Sequence, residues 1–198
     1  MEIILHRKNT IKELNEANHL YGIEIDLRSQ NNNLVIHHDP FANNHEDFDL
    51  WLKNYNHGTL IINIKEEGLE QRIIDSLNKY GITNYFFLDQ SFPFLITKNH
   101  LVKRKTALRF SEYESIETII KSASYADWIW IDCFNIFPEI DYAELLYLKN
   151  EKKLKTCLVS PELQGHNLIE YVEKNKELIK KYKLDAVCTK HPSFWEKF

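Results

Sequence analysis

The sequence predicts an α/β fold built on a parallel sheet, and three observations lead there. Apolar runs of strand length alternate with stretches of helical periodicity eight times along 198 residues. The runs are apolar on both faces, as in TLIINIK, NYFFLD and DWIWID, which marks parallel strands covered by helices. Nearly every run also ends in polar or charged residues: His6 and Arg7, Asp26 and Arg28, Asn63 and Lys65, Asp89, Arg109, Asp132, Ser160, Thr189 and Lys190. In a small (β/α)8 TIM barrel those positions converge on one rim, where active sites of that fold lie. In an open doubly wound sheet they would spread along an edge. At about 25 residues per unit the chain is short for a barrel, and the open sheet fits the alternation too.

Each element has its own justification. Glu2 to His6 is the first strand. Thr10 and Glu13 form a capping box that opens a helix with an apolar stripe of Ile11, Leu14 and Ala17. Gly22 begins the second strand, Asn31 to Asn33 make a turn, and Leu34 to Ile36 return. His45 to Tyr55 is expected to be helical, with Phe48, Trp51, Leu52 and Tyr55 inward. After the strand Thr59–Lys65, a helix from Glu67 to Tyr80 stops at Gly81. Asn84–Asp89 is a strand and a short helix follows Pro93. Thr106–Phe110, Asp127–Asp132, Lys155–Ser160 and Asp185–Thr189 are the remaining strands. Between them come a helix capped by Ser115, a helix opened by Pro138 and running through Leu148, and one long helix from Asn167 to Tyr182. A short terminal helix holds Phe194 and Trp195.

Composition points to a single domain, 1–198, with a substantial core: 43% of residues are hydrophobic, with 5 Gly and 5 Pro and no linker-like tract. A formal net charge of -4 argues against nucleic acid as a partner. No apolar run reaches the length of a membrane span, and MEIILHRKN does not read as a signal peptide, so a cytoplasmic protein is expected. Cys133, Cys157 and Cys188 are far apart in apolar runs. They read as reduced core residues rather than a disulfide or zinc set.

The stretch from Gly22 to Pro40, GIEIDLRSQNNNLVIHHDP, carries the chemistry. In a strand Ile23, Ile25 and Leu27 share one face, and Glu24, Asp26 and Arg28 the other. Two carboxylates two residues apart repel unless water or a cation relieves them, and carboxylate oxygens suit a hard divalent cation. The returning run brings His37, His38 and Asp39 into the same neighbourhood. Parity sends His37 the opposite way from His38, which reads as a packing or capping role for His37. The unit is a candidate metal and acid/base site.

His6-Arg7, Glu24-x-Asp26 and His38-Asp39 together resemble the glycerophosphodiester phosphodiesterases, barrels of the superfamily that includes the phosphatidylinositol-specific phospholipases C. Asn63-x-Lys65 stands where that family carries an acid, a spacer and a lysine. Arg109-Phe110-Ser111-Glu112, Trp130-Ile131-Asp132 and Ser160-Pro161-Glu162-Leu163 resemble a bacterial branch of the superfamily, connected with surface polysaccharides. The resemblance implies a divalent-metal-dependent phosphodiesterase on a barrel of this type. His6 and His38 would be the acid/base pair, and Glu24, Asp26 and Asn63 the metal ligands. Arg7 and Lys65 would hold phosphate oxygens. Arg109, Glu112, Asp132 and Glu162 would form either a substrate rim or structural salt bridges. The cofactor would be Mg2+, with Ca2+ or Mn2+ as alternatives, and the partner a small phosphodiester bearing glycerol, inositol or sugar. Three departures stand out: Lys8 replaces a glycine, Asn63 replaces an acid and so lowers the site's charge, and the capping insertion is missing. The alternative is a barrel that binds a phosphorylated sugar without turning it over.

That chemistry needs these groups. A cation, an arginine and a lysine offset the charge of an anionic diester and its transition state. Two histidines move the protons, one neutral and one charged. The nucleophile is water or a neighbouring hydroxyl of the substrate.

Overall fold

All eight apolar runs expected to be parallel strands are strands in the computed structural model, which describes residues 1–198. The chain divides into two units, Ile4–Lys105 and Met1–Ile3 with Thr106–Phe198. Each carries four parallel strands interleaved with helices.

In the N-terminal unit, Ile4 and Leu5 of β1 (Glu2–Leu5) pair with Gly22 and Ile23 of β2 (Gly22–Gln30). Between them lies α1 (Ile11–Glu16), opened by the expected capping box of Thr10 and Glu13. β2 turns into antiparallel β3 (Asn33–Ile36) through Asn31 and Asn32. Both have positive φ, 48° and 63°. A two-residue loop with that backbone is the type I′ hairpin turn, which asparagine tolerates. β4 (Glu46–Asp47), α2 (Phe48–Leu52), β5 (Leu60–Ile64), α3 (Glu70–Lys79), β6 (Tyr85–Leu88) and α4 (Phe92–Val102) complete the unit. β5 pairs in parallel with β2 and β6. Ile23, Ile25 and Leu27 pack in one fully buried cluster with Phe48, Trp51, Ile73 and Leu77, so the apolar face of β2 is spent on the core. The helix expected from His45 to Tyr55 is shorter. Glu46 bridges to Ile36 of β3, and Asp47 caps α2 by accepting from the Leu50 amide at 2.8 Å.

The C-terminal unit holds β7 (Ala107–Phe110), α5 (Ile116–Ser122), β8 (Trp128–Ile131), α6 (Tyr142–Leu146), β9 (Lys155–Val159), α7 (Leu168–Lys174), α8 (Lys176–Tyr182), β10 (Ala186–Thr189) and α9 (Pro192–Trp195). Its strands run parallel in the order β7, β8, β9, β10. Two expectations are corrected here. Pro138 does not open a helix. The Tyr182 hydroxyl accepts from the Ile140 amide and donates to the Pro138 carbonyl, and Asp141 is the residue that caps α6. The long helix from Asn167 breaks at Asn175, whose side-chain amide donates to the Tyr171 carbonyl, a local bond that competes with helix continuation. The three cysteines are free and buried, and burial pushes the Cys133 thiol up to about 12.

No helix is long and apolar enough to cross a membrane.

Candidate active site

The alternation of β2 that sends Ile23 and Ile25 to the core sends Glu24 and Asp26 to the other face, where they are 1% and 0% exposed. The parallel register sets Asn63 of β5 beside Asp26. Two residues on, Lys65 extends Nζ to 3.1 Å from Asp26 Oδ1. The strand end and loop after β1 close over this pair. Arg7, in left-handed backbone with φ 52°, donates its amide to Glu24 Oε2 at 2.8 Å. Its guanidinium Nε lies 3.4 Å from Asp26 Oδ2. His6 Nε2 stands 3.9 Å from Glu24 Oε2. Farther along, Lys8 donates its amide to the Glu24 carbonyl and accepts from Trp51 Nε1. This anchors the loop to both β2 and α2.

Six of the residues singled out from sequence, His6, Arg7, Glu24, Asp26, Asn63 and Lys65, are therefore joined by direct contacts or ladder register. Lys65, which has Glu66 and Asp89 near it in sequence or at a strand end, pairs with Asp26 instead. Sequence reasoning missed Asn9. Its amide nitrogen donates to Asp26 Oδ2 at 2.9 Å while its amide oxygen accepts from the Asp26 backbone at 3.0 Å. The only signal was a polar residue between His6-Arg7 and the capping Thr10.

The two later histidines make different bonds. The ladder pairs Leu27 with Ile36, and the His37 amide donates to the Asp26 carbonyl. Carried one step on, that register sets His37 across from Asp26, and the bond its Nδ1 accepts is the capping role expected of it. His37 Nδ1 accepts from the Asp39 amide, and His38 Nδ1 bonds Asp39 Oδ1 at 2.7 Å. That bond lowers the Asp39 carboxyl below its ordinary range. Both imidazoles line one cleft with Asn9.

Arg109, Glu112, Asp132 and Glu162 belong to the other unit, and each has a structural partner. Arg109 pairs with Asp132 and Glu114. Asp132 also accepts from Gln164 Nε2. Glu112 accepts from the amides of Phe134, Asn135 and Ile136. Glu162 accepts from Ser160, Thr189 and the Lys190 amide.

The electrostatics of the acidic pair are uneven. Asp26 has Lys65, Arg7 and Asn9 around it. Glu24 has two neutral donors, the Arg7 amide and Asn63 Nδ2 at 3.3 Å. Burial first, and the neighbouring Asp26 second, push its carboxyl up to about 8. The site is thus short of positive charge at Glu24. Asn63 Oδ1, meanwhile, is buried and accepts no hydrogen bond. Two carboxylates and an unpartnered amide oxygen are hard donors that fit a divalent cation. No three His, Cys, Asp or Glu side chains are grouped so as to hold a metal ion.

No family model and no curated protein matches the chain. Solved structures do. A protein of Agrobacterium tumefaciens described as a glycerophosphoryl diester phosphodiesterase superposes with a TM-score of 0.69 at 14% identity, over 98% of this chain and 95% of its own. A glycerophosphodiester phosphodiesterase of the same bacterium gives 0.62 at 13% identity, over 95% and 96%. A glycerophosphoryl diester phosphodiesterase of Parabacteroides distasonis gives 0.64 at 10% identity, over 96% and 82%. Across nearly its whole length the chain has the fold of these phosphodiesterases.

Proposed function

We propose that this chain is a phosphodiesterase acting on a small diester that bears glycerol, inositol or a sugar. The observation that carries the reading is the buried Glu24–Asp26 pair met by His6, Arg7 and Lys65 from neighbouring strand ends. Glu24, Asp26 and Asn63 Oδ1 would hold a divalent cation, magnesium before calcium or manganese, which when bound supplies positive charge against the diester and its transition state. Arg7 and Lys65 turn from Asp26 to the phosphate oxygens. His6 and His38 share the proton work, one taking a proton from the attacking oxygen and the other giving one to the leaving oxygen. His37 competes with His38 for that second role because of its register.

Turnover of an aromatic phosphodiester with magnesium tests this. Activity should vanish with a chelator and fall about a hundredfold or more in His6→Ala. The same loss is expected in His38→Ala and not in His37→Ala; the reverse would hand the role to His37. Activity that survives chelation and His6→Ala alike would end the reading.

A second reading, a binding module, is favoured by Asn63. An amide brings no charge, and Asp26 already has a lysine and an arginine beside it. Asn63→Asp should raise divalent affinity at least about tenfold if residue 63 is a ligand, as read by calorimetry. Unchanged affinity would remove it from the set.

A further inference from the structure

The ladder between β2 and β3 pairs Leu27 with Ile36 and ends at the His37 amide, which donates to the Asp26 carbonyl. His38 comes one residue later, on the loop toward β4, with its side chain 39% exposed. Its bond to Asp39 lies within the same segment and cannot fix that segment to the sheet. Arg28 does. From β2, two residues past Asp26, its Nε and Nη2 both donate to the His38 carbonyl, at 3.1 and 2.9 Å. We infer that Arg28 is the positioning residue of His38: its guanidinium holds the backbone from which the imidazole projects. The inference rests on the phosphodiesterase reading, in which His38 moves a proton, and gives Arg28 no contact with the diester.

Three observations carry it. The first is the fork. Two N–H groups of one rigid plane on a single oxygen set direction as well as distance, which the single-point ammonium of a lysine does not. The second is a brace behind the fork. Glu66 Oε1 lies 3.8 Å from Arg28 Nη1, and Glu66 Oε2 accepts from Ser29 Oγ at 2.5 Å. Glu66 directly follows Lys65, whose Nζ meets Asp26. One run of contacts therefore joins the end of β5, the far half of β2 and the His38 backbone. The lysine assigned to phosphate and the imidazole assigned to proton transfer share that frame. The third is exposure. The Arg28 side chain is 18% exposed, sheltered enough to keep its bonds, whereas the more open His38 ring takes its direction from the backbone. A misplacement of about 1 Å in a reacting group can cost on the order of 100-fold in rate.

Kinetics of the aromatic diester with magnesium test the tie. Arg28→Met, which keeps the stem and removes the fork, should lower kcat about tenfold or more with KM within about twofold. Arg28→Lys should recover little of that loss. In a His38→Ala background, Arg28→Met should cost less than about twofold further, because the two act as one unit. Glu66→Gln should lower kcat about threefold, and it takes the place of Arg28→Met in the same cycle if that variant does not fold. A full loss persisting without His38 would overturn the inference. So would a raised KM at wild-type kcat, which would make Arg28 a contact of the diester. Nitrogen-edited spectra of the imidazoles at a single pH report without turnover, the His38 signals being those lost in His38→Ala. Arg28→Met should move them and leave the His19 and His57 signals in place; unmoved His38 signals would overturn the tie. Moved signals in a protein that turns over no diester would end the phosphodiesterase reading and leave the tie standing.

Discussion

At the scale of the residue, Glu24 and Asp26 have the same charge and nearly the same burial but different surroundings. Asp26 has two cationic side chains and a bidentate amide; Glu24 has a backbone N–H, an amide and an imidazole at 3.9 Å. Burial therefore shows in the Glu24 carboxyl, raised to about 8. Asn9 grips Asp26 twice, its amide nitrogen donating to the carboxylate and its amide oxygen accepting from the backbone N–H. Where Asp26 holds the proposed cation, a residue that orients it in this way matters typically by about 10- to 100-fold. Asn9→Ala should accordingly weaken divalent binding about tenfold by calorimetry. Asn9→Asp would bring a further carboxylate against Asp26, and should weaken binding as well if geometry, not charge, is what Asn9 contributes. Unaltered affinity in Asn9→Ala would show that Asp26 needs no clamp.

At the scale of the element, the loop from His6 to Asn9 is short, and its shape is set by its ties to α1 and α2. Thr10 and Glu13 bond each other reciprocally at the head of α1, and Trp51 of α2 holds the Lys8 carbonyl. Thr10→Ala should lower stability by about 1 kcal/mol in denaturant unfolding, the usual worth of an N-cap. Trp51→Phe retains most of the buried ring and removes that one bond. It should cost about 1 kcal/mol and lower activity out of proportion to stability, because the loop bearing His6 and Arg7 loses its tie to α2. A stability loss with activity intact would show that β2 alone seats the loop.

At the scale of the whole molecule, the buried Glu24 couples stability to pH. The unfolded chain releases the proton near the ordinary 4.5, and the folded chain keeps it to about 8. The folded state binds more protons over that window, so stability falls as pH rises through it. In chelated protein the melting temperature should decline between those pH values, and Glu24→Gln should flatten the decline. Magnesium should flatten it too, since a bound cation offsets the charge that burial penalises. A wild-type curve as flat as that of Glu24→Gln in chelator would contradict the burial of an ionisable group there. The solved phosphodiesterases share 10% to 14% identity with the chain at TM-scores of 0.62 to 0.69. Such a fold is carried by the spacing of apolar runs and helix stops, which many sequences can satisfy.

That spacing is why the eight parallel strands, the capping box and the facing of Glu24 and Asp26 were legible in the sequence. Each rests on a period of two or a local hydrogen bond, and neither depends on distant residues. Helix ends were less legible. Glu46 was drawn into a strand pair with Ile36, Asp141 outcompeted Pro138, and Asn175 bonded its own helix. Only the tertiary structure decided that Lys65 reaches Asp26, that Asn9 grips it, and that Arg109 and Glu112 serve their own unit's loops. Those contacts join residues up to 39 positions apart, and a long polar side chain chooses among partners by where folding sets them, which no local pattern encodes.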